Sequence, residues 1–298
     1  MDSIDDLLRE TSRTFALTIP LLPEPTRRAT CLAYLLFRVS DTFEDAGSWT
    51  RQDRIDALRA WCTVLRAPAS WPDDAQRLSR TWLANRPSDH EGYLSLVAAT
   101  PDVLAEVARL PEGRRAVVVD HAIRSAEGMA DVLERAGPDG WIRLSSVPEL
   151  RAYCYTVAGI VGELLTSLFL LDAPVLAPEA SSLRANERAF GEALQLVNIL
   201  KDERDDAREG RRFLPPGVPR TELVRLARED LACAAAYTRS LVRGGAPAGF
   251  VAFTAMPVEL AGKTLDRIEA DGPGAKVARA VVLEMTVRYR AMAAALGT

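Results

Sequence analysis

The chain has 298 residues, 48% of them apolar, enough to bury a sizeable core in one large domain or two smaller ones. A formal net charge of −4 with no long run of Lys and Arg argues against a nucleic-acid surface. The four cysteines (Cys31, Cys62, Cys154 and Cys233) are scattered without a CxxC pair, which disfavours a disulfide framework or zinc site and makes the reducing cytoplasm the expected compartment.

Aromatic residues are only 6%, and Ala, Leu and Arg dominate, a helical rather than β-rich composition. The N-terminal stretch Met1-Asp-Ser-Ile-Asp-Asp6 is acidic and unlike a signal or transit peptide. Proline and glycine then break the chain at 20–25, 67–72, 85–89, 137–140, 173–178, 215–219, 244–247 and 272–274. Between breaks, apolar residues recur at three- and four-residue steps, as in Leu32, Leu35, Leu36 and Val39, and no stretch alternates as a strand does. No repeat, low-complexity linker or composition shift separates the chain, so a single all-α domain over 1–298 is expected.

Residues 31–39, 157–171 and 190–200 read as helices apolar on nearly every side, suited to the middle of a bundle. The stretch 157–171 contains Glu163 and is short for a bilayer, so a buried helix is expected there and no transmembrane anchor.

Two of these helices run into acidic clusters. After the first comes Asp41-Thr-Phe-Glu-Asp45, which puts Asp41, Glu44 and Asp45 on one helical face with Arg38 and Tyr34 one and two turns earlier. Extending the third is Asn198-Ile-Leu-Lys-Asp202-Glu-Arg-Asp205-Asp206, where Asn198, Asp202 and Asp206 recur every four residues and Gln195 lies one turn before. One such cluster alone reads as a solvated helix end. Two of them, each following an apolar helix, call for cationic compensation, and hard oxygen ligands with a phosphate-bearing substrate suit Mg²⁺. That arrangement fits departure of a diphosphate, with an apolar cavity protecting the cation left behind.

Other residues carry less. His90 is expected to be exposed, His121 to be a satisfied core or helix-face residue, and Ser12 has no local histidine for triad chemistry. Arg114 with Arg115, and Arg184 with Arg188, read as solvated faces.

At its motifs the sequence resembles the squalene/phytoene synthase family, the head-to-head trans-prenyl synthases. The blocks are Ser12-Arg-Thr-Phe15, Tyr34-Leu-Leu-Phe-Arg38-Val-Ser-Asp41-Thr-Phe-Glu-Asp45, Gly128-Met129, Tyr153-Cys-Tyr-Thr-Val-Ala-Gly159-Ile-Val-Gly162 and the stretch from Gln195 to Asp206, completed by Arg211-Arg-Phe-Leu-Pro215. The resemblance implies an all-α isoprenoid synthase bundle of the class I terpenoid type around a central cavity. It further implies a prenyltransferase that joins allylic C15 or C20 diphosphates head to head, with two or three Mg²⁺ ions. By the same resemblance Asp41, Glu44, Asp45, Asn198, Asp202 and Asp206 would hold metal, and Asp41, Asp45, Asp202 and Asp206 would act in catalysis with Tyr34 and Tyr153. Ser12, Arg13, Arg38, Gln195, Asn198 and Arg212 would bind the substrate. Gly159 and Gly162 would let a prenyl chain, or equally a neighbouring helix, approach closely.

Squalene-forming members finish with NADPH, whereas phytoene- and dehydrosqualene-forming members do not. Thr156 stands where animal squalene synthases carry a tyrosine, so the pattern resembles the carotenoid-type members more. Glu259 falls near a position that is basic in those members, which leaves open a relative that prenylates a non-diphosphate acceptor, such as an aromatic, or cyclises the cation. A non-catalytic assembly protein on the same fold is the rival of another class. Monomer or homodimer, and peripheral membrane contact, stay open.

Overall fold

A computed structural model describes residues 3–12, 14–137 and 139–295. Fourteen α-helices follow in chain order: α1 (Ile4–Thr11), α2 (Phe15–Thr18), α3 (Thr26–Glu44), α4 (Arg51–Arg66), α5 (Trp71–Ala84), α6 (Glu91–Ala98), α7 (Thr100–Ala108), α8 (Glu112–Arg135), α9 (Val147–Cys154), α10 (Ile160–Asp172), α11 (Ala180–Arg208), α12 (Arg220–Arg243), α13 (Ala248–Asp271) and α14 (Arg279–Ala295). No strand forms among the described residues; an isolated parallel bridge joins Arg143 and Arg212. The all-α expectation therefore stands. Each expected break lies between helices or in the first turn of one, while α6 and α7 meet at Ala99 without a Gly or Pro cluster to announce it.

The chain divides into two compact units, Met1–Ala16 with Arg27–Gly140 and Leu17–Thr26 with Trp141–Thr298. The sequence reading expected one domain, and no polar or Gly-rich linker marks the crossings between the units.

In the first unit, capping fixes the helix starts. Ser3 accepts from the Asp6 amide and Asp6 reciprocates, and Thr50 and Asp53 repeat the box at α4; each such cap is worth about 1 kcal/mol. Helix α4 packs on α8, where Cys62 Sγ faces the Ile123 carbonyl at 3.8 Å and Arg59 bridges Asp131 and Glu134 at the rim; Leu58, Trp61 and Leu65 of α4 are fully buried. The stretch 31–39 of α3 is buried except for Arg38, which is half-buried. Below the acidic end of α3, Phe43 is fully buried and its ring lies 4.6 Å from that of Trp82 and 5.9 Å from that of Trp49. These rings anchor the last turn of α3.

In the second unit, α9, a π-helical turn (Tyr155–Gly159) and α10 run on as one helix against α11. The two helices touch through glycine. A Cβ on Gly162 would sit 1.8 Å from the Glu187 carbonyl oxygen, and one on Gly191 would sit 1.9 Å from that of Ala158. No side chain fits there. Phe169 stacks on Phe250 at 4.2 Å and Phe190 on Tyr237 at 5.1 Å, tying α10, α11, α12 and α13 together. Arg151 of α9 pairs with Glu192 of α11 and Asp230 of α12, two carboxylates that are themselves buried. A smaller apolar cluster of Leu21, Ala252, Met256 and Met285 seats α14.

The π turn corrects one expectation. By joining α9 to α10 it gives a helix of 26 residues, Val147–Asp172, long and apolar enough to cross a membrane by length and composition. Half of its most apolar stretch is buried inside the fold.

Candidate active site

Within the first unit, α1, α3 and α6 converge on Arg38. Its guanidinium pairs with Asp41 at 3.2 Å, and its Nε–H donates to the Tyr34 hydroxyl oxygen at 3.2 Å. That hydroxyl in turn donates to the Thr11 carbonyl at 2.7 Å, so Tyr34 is a buried residue with both polar contacts satisfied. The guanidinium carbon lies 5.5 Å from the centre of the Tyr34 ring and 5.4 Å from that of Tyr93 on α6. Burial alone would lower the pKa of Arg38; Asp41 with the two tyrosines outweighs it and raises the value. The pKa of Asp41 rises too, which for a carboxyl disfavours the charged form. Burial pushes its carboxyl up to about 6, against the pull of Arg38 and with some help from the charge of Asp45. Ser12 follows the end of α1 and its hydroxyl accepts from the Phe15 amide at 2.9 Å. Arg13 lies outside the described residues.

The three acids of this cluster differ in burial: Asp41 is half-buried, Glu44 is buried at 6% exposure and Asp45 is exposed. Helix α3 ends at Glu44, and the Asp45 amide still donates to the Asp41 carbonyl one turn back at 2.9 Å. Arg54 of α4, itself buried, donates to the Glu44 main-chain carbonyl at 3.1 Å and so caps the negative end of the helix.

In the second unit, the acidic end of α11 is more open. Asn198 and Asp205 are exposed, while Gln195, Asp202 and Asp206 are half-buried. Lys201 reaches the Asn198 side-chain oxygen at 3.2 Å and the Asp202 carboxylate at 3.1 Å. Arg211 reaches Asp206 at 3.2 Å, and Arg208 takes Asp205 at 2.7 Å. Among the described residues no three His, Cys, Asp or Glu side chains gather within reach of one metal ion. Neighbouring cations pair with Asp41, Asp202, Asp205 and Asp206.

Arg212 is exposed, and its main chain pairs with Ile142 and Leu144 at 2.9 Å each. The neighbouring Arg211 is the residue whose guanidinium meets Asp206, and the sequence reading passed over it. A cavity of about 280 Å³ opens beside this pair, lined by Glu203, Asp206, Arg211, Arg212, Phe213 and Leu223 among others. Tyr153 is buried and stacks on Phe213 at 4.8 Å, so it sits behind the loop that carries Arg211.

Of the two readings for Gly159 and Gly162, the helix-packing one accounts for both. A Cβ on Gly159 would meet Tyr155 at 2.8 Å and Glu192 at 3.1 Å, and Gly162 meets the α11 backbone. Thr156 donates back to the Ala152 carbonyl at 3.0 Å within the π turn. The Arg184 and Arg188 faces are not merely solvated: they pair with Glu187 and Glu192, and Arg188 covers the Tyr155 ring at 4.1 Å. Neither histidine forms a site: His121 is buried with Nδ1 2.8 Å from the Val117 carbonyl oxygen, and His90 is exposed. Glu259 is compensated within its own unit. The Tyr289 hydroxyl donates to it at 2.8 Å, Arg288 pairs with it, and Lys263 lies 3.7 Å away.

The squalene/phytoene synthase family model matches residues 8–218, which include both acidic clusters. Squalene synthase of Schizosaccharomyces pombe is 29% identical over 209 residues, covering 70% of this chain and 43% of the relative. Squalene synthase of Bos taurus is 31% identical over 211 residues, covering 70% of this chain and 45% of the relative. The chain thus matches less than half the length of these curated relatives. A solved structure of TcSQS with the ligand E5700 superposes with a TM-score of 0.74 at 23% identity, over 97% of this chain and 88% of that one. A dehydrosqualene synthase in complex with a ligand gives a TM-score of 0.61 at 19% identity, over 97% and 94%. At these identities the structures establish the shared all-α fold. By the match over 8–218, the chain belongs to the squalene/phytoene synthase family.

Proposed function

We propose that this chain is a Mg²⁺-dependent prenyltransferase that ionises an allylic isoprenoid diphosphate of C15 or C20 and couples it head to head with a second one. The observation that carries the reading is a pair of oxygen-only ligand sets, each ending an apolar helix, in a chain of this family. Asp41 and Asp45 on one side, and Asn198, Asp202 and Asp206 on the other, offer the hard donors that Mg²⁺ takes. They fit the ion electrostatically too, because burial and the charge of Asp45 already disfavour ionised Asp41, and a divalent cation would relieve that penalty. When bound, Mg²⁺ would neutralise charge on the departing diphosphate.

The protein's own groups supply the rest. Arg38, held beside Asp41, is placed to take a phosphate oxygen in exchange for its carboxylate partner. Lys201 and Arg211 stand in the same relation to Asp202 and Asp206. Half-buried apolar side chains one turn apart on the same helix, Val157 and Val161, offer a surface on which a prenyl chain can lie away from water. Arg288 and Lys263 pair with Glu259 and bring basic side chains beside that position, so a second prenyl diphosphate is the acceptor we favour.

Incubation with C10, C15 and C20 diphosphates, with and without NADPH, followed by product mass, tests the proposal. A C30 or C40 hydrocarbon is expected. A prenyl alcohol or cyclic product would overturn the coupling step, and no diphosphate release with any substrate would overturn the enzyme reading altogether. Squalene formed only with NADPH would add the reductant; a product formed without it would place the chain with the carotenoid-type members.

A further inference from the structure

Arg38 is more firmly held than a surface arginine, and part of its support comes from a residue outside every motif. Tyr93 lies on α6, fifty residues and more along the chain from Arg38, yet its ring centre is 5.4 Å from the guanidinium carbon. On α3 itself Tyr34 offers a second ring at 5.5 Å. His90 stacks on Tyr93 at 4.2 Å and fills out the aromatic wall. The seat of α6 is specified as well. Gly92, beside Tyr93, faces α1 so closely that a Cβ there would come within 2.8 Å of the Glu10 carbonyl oxygen. Glycine at this place lets α6 settle against α1, which carries Thr11, the acceptor for Tyr34.

We propose that Tyr93 is a positioning residue for Arg38, holding its guanidinium ready for the anionic end of a substrate. The inference rests on the reading of Arg38 as a diphosphate contact. Its logic is one of exchange. Asp41 is the carboxylate that Arg38 pairs with, and Asp41 is also a ligand for the metal in the proposed reaction. Once Asp41 engages a metal, the ion pair weakens, and a long arginine side chain would regain its rotamer freedom. The faces of Tyr34 and Tyr93 attract the guanidinium without competing for the metal or for phosphate, since they carry no charge. They keep the arginine in place while its ionic partner changes from carboxylate to phosphate.

The ring, not the hydroxyl, does this, which separates two variants. In the intact protein, Tyr93→Phe should leave the affinity for inorganic diphosphate in the presence of Mg²⁺ within about twofold, measured by calorimetry. Tyr93→Leu should weaken it about five- to tenfold, the scale of a lost cation–π contact at a partly desolvated site. The same substitution should raise KM for the prenyl diphosphate more than it lowers kcat, with the melting temperature near that of the wild type. In an Arg38→Ala background, Tyr93→Leu should add nothing. A second readout does not depend on turnover: the Arg38 Nε–H resonance, shifted by the two rings, should move in Tyr93→Leu and hold in Tyr93→Phe. An unmoved resonance, or an equal loss of affinity in the Arg38→Ala background, overturns the positioning role. Failure of the wild type to bind diphosphate overturns the functional reading instead, whatever the resonance does.

Discussion

The acidic ends of α3 and α11 carry similar residues in different settings. At the end of α3 the helix is locked by Phe43 among Trp49 and Trp82, capped by buried Arg54, and its Arg38 is pinned between tyrosine rings. At the end of α11, Asn198 and Asp205 are exposed, and the acids are met by the adjacent Lys201 and by Arg208 and Arg211 from the helix end and the following loop. One end is fixed by a core built for it; the other takes its place from packing two and more turns away, where Gly162 of α10 and Gly191 of α11 press the helices together. A preorganised acid is thereby separated from an adaptable one. Rigid placement costs stability, since burial holds the Asp41 carboxyl at a pKa of about 6.

The largest effect expected from this difference is at the distant packing. Gly162→Ala would drive a methyl into the Glu187 carbonyl, 1.8 Å away, and the two helices must part. A loss of about 1–3 kcal/mol or more in unfolding free energy should result, with turnover falling as the Asp202 end shifts. Denaturant titration checks it, and wild-type stability in this variant would mean that α10 does not set α11.

Next comes the contrast between acids. Asp41→Asn should abolish diphosphate release without lowering the melting temperature of the metal-free protein, because the substitution removes a charge that burial disfavours. Asp205→Asn, at an exposed position paired only across the helix surface, should leave both turnover and melting within experimental scatter. If Asp41→Asn melts several degrees lower, the end of α3 is held by its ion pair rather than by its aromatic anchor.

The smallest effect concerns pH. Burial raises the carboxyl pKa values of Glu192 and Asp230, even though Arg151 stands between them. Each holds its proton to higher pH in the fold than in the unfolded chain. Their contribution to stability is therefore fullest below the ordinary carboxylate range and shrinks as pH rises through the raised values. Glu192→Gln should flatten that limb of the melting curve against pH. An unchanged slope would place the titration elsewhere.

Much of this was legible in sequence because it rests on local pattern. Apolar spacing at 31–39 and 190–200 located the two buried helices, and the acids that follow them are contiguous in the chain. Glycine and proline marked most of the helix ends. What stayed hidden depends on distant contacts. Nothing near Tyr93 announces that its ring will meet Arg38, and nothing beside Arg211 announces that its guanidinium will meet Asp206. The burial of Glu44, between half-buried Asp41 and exposed Asp45, is likewise not given by the spacing of the three acids. Gly159 and Gly162 looked equally suited to a ligand or a helix until the Tyr155 and Glu192 side chains and the α11 backbone filled the space.

The central claim is ionisation of an allylic diphosphate by acidic helix ends that need a divalent cation. The most direct test is release of inorganic diphosphate from farnesyl and geranylgeranyl diphosphate by the intact protein, titrated with Mg²⁺ and with chelator. The account predicts release from at least one of the two that depends on Mg²⁺, stops with chelator and is absent in both Asp41→Ala and Asp202→Ala. Equal release in chelator, or undiminished release in either variant, would contradict it.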